Sequence, residues 1–367
     1  MKPILSLLSA LLLMMTVAIC IAQADYETLS PHLTYTHLGD ADMPLLMAPG
    51  EVTGGADGST GIILEEPQAD VWPKTFTITV AGDTTLGSTD DLRKRDDCFE
   101  RVAEEKGYAW FLSGLTELFG SDDLTLINFK GPAEYTDILT LGSVEAVNLA
   151  NNHTIDYGEQ GKADTIANLE AAGLVVSGGG LLGIFEKNGV KVGMTGYCFP
   201  YTNGKKDISK DVKALREAGC QIVVATFHWG SEYREDFTAE QRTIGRAALK
   251  AGADIVVGHH PHIVQGIEAY NDSYILYSLG NLVFGGNVDP DDRDAYAARL
   301  TFTVYEDHAD APELTIVPLR LTELEKGTDY RPVLAGGDEA ERIVSRILKR
   351  SSNMSGFTNG DWRAPAN

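Results

Sequence analysis

The chain has 367 residues, of which 53 are acidic and 30 are basic, and its formal net charge is −23 at pH 7. This balance argues against nucleic acid or an anionic membrane surface as a partner, because both select for Lys and Arg. Of the four cysteines, Cys20 lies in the N-terminal apolar stretch, and the other three, Cys98, Cys198 and Cys220, are an odd and sparse set rather than a disulfide framework. We therefore expect buried thiols, with a single bridge as the alternative. The length suits one large α/β domain or two smaller ones.

The N-terminal residues have the features of an export signal. Lys2 precedes an uncharged apolar stretch that extends to Ala22, and a small-x-small cleavage pattern ends at Ala24. We expect residues 1–24 to be a signal peptide that is cleaved after Ala24. The mature protein would then be secreted or associated with the cell envelope, outside the cytoplasm. The alternative is an uncleaved leader, which is long enough to anchor the chain in a membrane.

The folded domain is predicted to begin near residue 74. Residues 25–73 are rich in Gly, Pro, Asp and Glu and show little periodicity, which predicts a low-complexity lead-in. The domain is predicted over residues 74–325, and its first strand is the alternating, β-branched run over residues 75–81. That strand continues into Gly82 and Asp83. Open α/β sheets bind ligands at the carboxyl ends of their strands, so Asp83 is a candidate ligand, with a structural turn residue as the alternative.

The next two predicted strands also end in polar residues. A helix predicted over residues 99–118 leads to a strand that ends at Asn128, and a strand over residues 144–149 is followed by Asn152 and His153. Asn and His are poor strand formers, so packing does not explain them. An amide oxygen can bind a hard cation, and a neighbouring His can donate a proton to a leaving group.

Histidines follow the later strands in the same way. His228 lies just beyond an apolar run, and the apolar run over residues 255–257 stops at Gly258. Three of the chain's eight histidines then follow, at positions 259, 260 and 262. Imidazole is the commonest metal-binding side chain and binds as the neutral base, so this loop predicts a metal site. A polar loop with a chance cluster of histidines is the alternative.

The remaining pattern completes an α/β domain. Alternating stretches over residues 297–305 and 314–319 predict paired strands at an antiparallel sheet edge. Residues 326–367 are predicted to form a C-terminal amphipathic helix followed by a disordered tail. The repeated alternation of strands and helices predicts two stacked sheets flanked by helices. The carboxylate, amide and imidazole groups at the strand ends suit Mn, Fe or Zn rather than a structural zinc built from Cys.

Seven motifs resemble, in order, those of the CapA-type family of poly-γ-glutamate capsule biosynthesis proteins, a branch of the calcineurin-like metallophosphatase superfamily. They are Gly82-Asp83, Asn128-x-x-Gly131-Pro132, Leu149-Ala150-Asn151-Asn152-His153, Asp156-Tyr157-Gly158, His228-Trp229-Gly230-x-Glu232-Tyr233, His260-Pro261-His262 and Ser278-Leu279-Gly280-Asn281. The resemblance covers roughly residues 74–321. It implies a four-layer α/β/β/α metallophosphatase-like sandwich, a metal site at the strand ends, and an exported or membrane-anchored location.

The resemblance also implies roles for individual residues. The metal ligands would be Asp83, Asn128, Asn152, His228, His260 and His262. His153 would be the general acid, and Glu232 is a second catalytic candidate. The cofactor would be one or two divalent ions, and the partner an anionic cell-surface polymer such as poly-γ-glutamate, or the machinery that synthesises it.

The chain departs from the family at one site position. The family usually reads Asn-Leu-Glu where this chain has Asn128-Phe129-Lys130. An ammonium cannot bind a metal cation and repels one in a low-dielectric cleft, so the number of ions is open. Either Lys130 replaces the charge of one metal, or it points away while Asn128 binds. A third alternative is that Glu134 supplies the missing carboxylate.

Three functions therefore remain open. The first is a CapA-like metal-dependent protein of polymer synthesis or processing, in which His153 protonates the leaving group during metal-assisted attack on an acyl or phosphoryl centre. The second is an extracytoplasmic phosphoesterase. The third is a non-catalytic relative that binds a polymer or an assembly partner through the same cleft.

Overall fold

The structure is a computed structural model that describes residues 71–200 and 205–352. The predicted signal peptide, nearly all of the predicted lead-in and the predicted tail from residue 353 lie outside these residues. The three cysteines within them, Cys98, Cys198 and Cys220, are free thiols. None of the described helices combines the length and the apolar character needed to cross a membrane.

Strands alternate with helices along most of the described chain. In chain order the strands are β1 (Lys74–Thr85), β2 (Leu124–Lys130), β3 (Ala146–Asn148), β4 (Val175–Ser177), β5 (Gly183–Lys187), β6 (Val190–Cys198), β7 (Ile222–His228), β8 (Ile255–His259), β9 (Ile267–Tyr270), β10 (Ser273–Leu276), β11 (Asn281–Phe284), β12 (Asp294–Val304), β13 (Glu313–Arg320) and β14 (Val333–Leu334). The helices are α1 (Phe99–Lys106), α2 (Thr116–Gly120), α3 (Thr136–Leu141), α4 (Gly158–Ala171), α5 (Lys205–Glu217), α6 (Ala239–Ala251) and α7 (Gly337–Lys349).

These strands form two mixed sheets. The first has the order β14-β13-β12-β1-β2-β3-β4, and β11 also pairs with β1. Strands β1 to β4 of this sheet are parallel, whereas β12 to β14 are antiparallel. The second sheet has the order β5-β6-β7-β8-β10-β9, with a parallel centre and antiparallel strands at both edges. The carboxyl ends of the parallel strands are where such sheets place their ligands.

The two sheets lie between two layers of helices, and three apolar clusters fill the spaces between these four layers. The cluster between the sheets combines residues such as Val80 of β1 with Val224 of β7. The outer face of the first sheet packs on α1 to α4, through residues such as Leu169. The outer face of the second sheet packs on α5 and α6, through Val212 and Ala248. The structure therefore confirms the predicted α/β fold with its α/β/β/α sandwich.

Local predictions differ from the structure in three places. The single helix predicted over residues 99–118 is wrong, because Gly107 adopts φ 77° and ends α1 at Lys106. Strand β2 continues two residues beyond the predicted end at Asn128, to Lys130, because it keeps pairing with β1. The sheet also extends past residue 325, since β14 pairs with β13 and α7 packs Ile343 and Ile347 into the core between the sheets.

Candidate metal centre

The strand ends form one row of buried polar side chains. In the first sheet Asp83 is opposite Asn128, and Asn128 is opposite Asn148. In the second sheet His228 is opposite His259. The position of Asp83 depends on Gly82, because a Cβ at Gly82 would lie 2.3 Å from the carbonyl oxygen of Gly280. Glycine thus allows β1 and β11 to approach closely beside the site.

Asp83 lies at the centre of this row and is fully buried. Its Oδ1 accepts a hydrogen bond from Asn128 Nδ2 at 2.6 Å, and its Oδ2 accepts one from the backbone N–H of His260 at 3.0 Å. His228 Nδ1 lies 3.8 Å from Oδ1 and His262 Nδ1 lies 3.9 Å from Oδ2. Burial alone raises the pKa of Asp83, but the neighbouring Lys130 and histidines hold it well below its ordinary value.

Lys130 points into the cleft. Its Nζ lies 3.0 Å from Asp83 Oδ1, and its side chain is 2% exposed. The contact is an ion pair rather than a hydrogen bond, because its geometry leaves Nζ without a hydrogen-bond partner among the described residues. Glu134, the alternative source of a carboxylate, is exposed in the 3₁₀ turn Ala133–Tyr135, outside the buried row.

The predicted amide ligands bind to other side chains of the row. Asn128 Oδ1 accepts a hydrogen bond from Asn148 Nδ2 at 2.9 Å. His228 Nε2 lies 2.8 Å from Asn152 Oδ1, and His228 Nδ1 lies 3.3 Å from Asn128 Nδ2. Asn148 was absent from the predicted site, although it is the last residue of its strand. Each of the two amide oxygens, that of Asn128 and that of Asn152, thus already has one partner within the protein.

A second group, which we call the metal triad, consists of Glu232, His260 and His262. One ligand atom from each of the three lies within 4.8 Å of the others. His262 Nδ1 lies 2.7 Å from Asn281 Oδ1, which leaves Nε2 free to bind an ion. His260 Nδ1 is buried without a hydrogen-bond partner in the described part of the chain. One carboxylate and two imidazoles are a common ligand set for a divalent metal that keeps positions open.

His260 is suited to metal binding at neutral pH. Burial lowers the pKa of His260, and the charge of Lys130 lowers it further, so the imidazole is neutral. Both His260 and His262 have positive φ, 97° and 61°, as does Tyr233 next to Glu232, with φ 57°. Such backbone conformations cost on the order of 1–3 kcal/mol each in non-glycine residues and cluster at functional sites.

Buried contacts hold the loop that carries Glu232. The Tyr233 backbone N–H donates to the Pro261 carbonyl at 2.8 Å, which joins this loop to the histidine loop. Gln265 is fully buried, and its Nε2 donates to the Arg234 carbonyl at 2.7 Å. Sequence reasoning placed Glu232 among the catalytic residues and did not select Gln265. The structure instead makes Glu232 a candidate third ligand, because these contacts bring it to the two histidines.

His153 lies at the rim rather than in the buried row. Its side chain is 50% exposed, and its Nδ1 lies 2.7 Å from Asp156 Oδ2. Its backbone N–H donates to Asn151 Oδ1 at 3.0 Å. The preceding residue, Asn152, contacts His228. The carboxylate of Asp156 can therefore fix the orientation of the His153 ring, which leaves Nε2 as the nitrogen available for proton transfer.

His259 is the last residue of β8 and was not among the predicted ligands. Its burial predicts how the stability of the protein depends on pH. Burial lowers its pKa to about 4. The folded protein keeps His259 neutral down to that pH, whereas the unfolded chain takes up a proton below about pH 6.5. Stability is therefore lost as the pH falls through this window. Between pH 7.5 and 5 we expect His259 to account for about 2 kcal/mol of lost unfolding free energy.

The measurement is urea unfolding of the metal-free protein at both pH values, in the wild type and in His259→Gln. Glutamine does not titrate, so the variant should lose less stability than the wild type on acidification. Other titrating groups, including Glu145, whose pKa burial raises to about 7, act in both proteins and cancel in the comparison. Equal losses in the two proteins would contradict the assignment.

Comparison with known proteins identifies the family. The family model described as bacterial capsule synthesis protein PGA_cap matches residues 77–286, more than half of the chain. The chain belongs to this family. Every residue of the buried row and of the metal triad lies within the matched range. The CapA-type resemblance seen in the motifs is thereby confirmed.

Three relatives illustrate how far the similarity extends. The chain is 32% identical over 227 residues to the PGA biosynthesis protein CapA of Bacillus subtilis, covering 50% of this chain and 59% of that protein. It is 36% identical over 163 residues to the capsule biosynthesis protein CapA of Bacillus anthracis, covering 38% and 39%. A probable polyglutamine synthesis accessory protein of Mycobacterium tuberculosis is 30% identical over 166 residues, covering 37% and 44%. The chain thus spans less than two thirds of the length of each.

Proposed function

We propose that this chain acts outside the cytoplasm in the synthesis or processing of an anionic cell-surface polymer such as poly-γ-glutamate, through a metal-dependent site. Membership of the PGA_cap family supports this role, and the matched proteins of Bacillus subtilis and Bacillus anthracis carry the names PGA biosynthesis and capsule biosynthesis proteins. The observation that carries the proposal is the metal triad of Glu232, His260 and His262 beside the buried row. Nitrogen and oxygen donors of this kind fit Mn, Fe or Zn.

A bound metal ion would supply the positive charge that an anionic substrate needs at this site. The chain as a whole repels a polyanion, since its net charge is −23. A bound divalent ion would add local positive charge and, as a Lewis acid, would polarise an acyl or phosphoryl oxygen. His153, oriented by Asp156 at the rim, is placed to donate a proton to a leaving group. His260, neutral because of its burial, remains a metal ligand at physiological pH.

One observation favours a second function. Lys130 places a buried ammonium among residues that the family resemblance assigns to metal binding. An ion is repelled there, which is consistent with a non-catalytic relative that binds a polymer or an assembly partner. The two functions differ in whether bound polymer is converted.

The deciding experiment incubates purified protein with poly-γ-glutamate and Mn²⁺, Fe²⁺ or Zn²⁺ and follows polymer length by size-exclusion chromatography. A diester of phosphate serves as the comparison substrate. We expect metal-dependent shortening of the polymer that a chelator abolishes. Polymer binding without shortening would support the binding function, and hydrolysis of the diester alone would indicate a phosphoesterase. Neither binding nor conversion of the polymer would overturn the proposal.

Export is a separate prediction that rests on the leader. We expect the mature protein to begin at Asp25 and to be found outside the cytoplasm. Leu12→Arg should block export, because a charge in the middle of the apolar run costs about 2.5–3.5 kcal/mol on insertion. Thr36→Arg, beyond the cleavage pattern, should export normally. N-terminal sequencing of each cell fraction tests this, and a soluble cytoplasmic wild type that begins at Met1 would contradict it.

A further inference from the structure

The buried ammonium of Lys130 is the feature of the site that the proposed function does not use. Its Nζ lies 3.0 Å from Asp83 Oδ1, and neither side chain is more than 2% exposed. A charge in such a place is strongly destabilising unless it is paired, so the two groups depend on each other. Lys130 therefore already provides the positive charge that the buried carboxylate of Asp83 requires.

Asp83 and His228 already have hydrogen-bond partners within the protein. Asp83 Oδ1 accepts a hydrogen bond from Asn128 at 2.6 Å, and Oδ2 accepts one from the His260 backbone at 3.0 Å. Both ring nitrogens of His228 lie against amides, at 3.3 Å from Asn128 and at 2.8 Å from Asn152. A cation beside Asp83 would break these contacts and would also lie next to the ammonium. This half of the site does not fit a metal ion.

The half of the site that contains the metal triad, in contrast, has ligand atoms available for an ion. Its Glu232 is exposed, His260 Nδ1 is buried without a hydrogen-bond partner among the residues described, and His262 keeps Nε2 free. The ligand atoms of these three residues lie within 4.8 Å of one another. His260 and His262 therefore each offer a ring nitrogen that can bind an ion together with Glu232.

We infer that this chain has a mononuclear metal site, in which one divalent ion binds Glu232, His260 and His262 and the Lys130 ammonium stands in place of a second ion beside Asp83. The inference rests on the proposed metal-dependent function. It goes further by fixing the number of ions and by giving Lys130 a charge-compensating role. Because the amine is covalently part of the chain, this half of the site stays charged and ordered when the metal is removed.

The test compares the metal content of four proteins after equilibration with Mn²⁺ and gel filtration, with calorimetric titration of the metal-free forms. They are the wild type, Lys130→Glu, Lys130→Met and the control Lys213→Glu. Lys213 is 75% exposed on α5, so its substitution changes the net charge equally without touching the site. We expect one ion per chain in the wild type and in Lys213→Glu. Lys130→Glu replaces the ammonium by a metal ligand, so the metal content of this variant should rise to two ions per chain.

Lys130→Met keeps the test decisive if Lys130→Glu does not fold without metal. Methionine leaves Asp83 buried without a cation, so we expect Mn²⁺ to raise the melting temperature of this variant by more than it raises that of the wild type. Two ions in the wild type would overturn the inference and leave the proposed function standing. Folded Lys130 variants whose metal content and metal response equal those of the wild type would overturn it too. A wild type that binds no ion would instead overturn the metal-dependent function itself.

Discussion

Glu232→Gln is expected to lower the affinity of the protein for Mn²⁺ or Zn²⁺ by on the order of 100-fold or more. Loss of a residue that only hydrogen-bonds to a metal ligand typically lowers metal affinity by about 10- to 100-fold, and loss of a direct ligand should lower it further. Glutamine preserves the size of the side chain but removes the negative charge that binds the cation. Glu232 is exposed, so its substitution leaves the core unchanged. Calorimetric titration of the metal-free protein measures the effect.

Glu235→Gln is the matched control for this substitution. Glu235 lies three residues further along the same loop, and its carboxylate contacts Arg350 and, at 3.4 Å, Arg346. Its replacement removes the same charge from the same loop without removing a ligand, so we expect unchanged metal affinity. A Glu232→Gln protein that binds metal normally but has lost turnover would restore the catalytic role that the sequence suggested for Glu232.

His153→Asn is expected to lower turnover by roughly a hundredfold or more while metal content stays the same. Asparagine keeps a polar side chain at the rim but cannot deliver a proton to a leaving group. Asp156→Asn should produce a smaller loss, because it removes the carboxylate that orients the ring and leaves the imidazole in place. Turnover of the substrate found in the polymer assay, followed across pH, tests both variants.

His308→Asn is the control for these measurements. His308 Nδ1 lies 2.7 Å from Asp307 Oδ1 in an exposed loop, so it forms the same kind of imidazole–carboxylate pair outside the site. We expect its substitution to leave turnover unchanged. Loss of bound metal in His153→Asn would make His153 a ligand, and normal turnover in that variant would exclude it as the general acid.

The fold was predictable from the sequence because its signals are local. The β-branched run that became β1 and the apolar runs that became β7 and β8 are recognisable as strands, and helices separate them. Asp83 and His228 were found because each lies at a strand end, and the parallel topology brings these ends together. The break in the first predicted helix came from Gly107, whose positive φ no periodic pattern indicates.

The details of the site depended on non-local geometry. The orientation of Lys130 follows from the continued pairing of β2 with Thr84 and Thr85 of β1, which keeps residues 128 and 130 on the same face of the sheet. The sequence pattern predicted that β2 ends at Asn128, so it could not predict the direction in which the Lys130 side chain points. Glu232 reaches the histidines through the Tyr233–Pro261 contact between two loops distant in sequence, and short motifs do not encode such a contact.

The most direct measurement is a crystal structure of the protein equilibrated with Mn²⁺, with the ion located by its anomalous scattering. We predict one peak, bound by Glu232, His260 and His262 at about 2.0–2.3 Å, with Lys130 still paired to Asp83. A peak beside Asp83, or no peak within reach of Glu232 and the two histidines, would contradict the account.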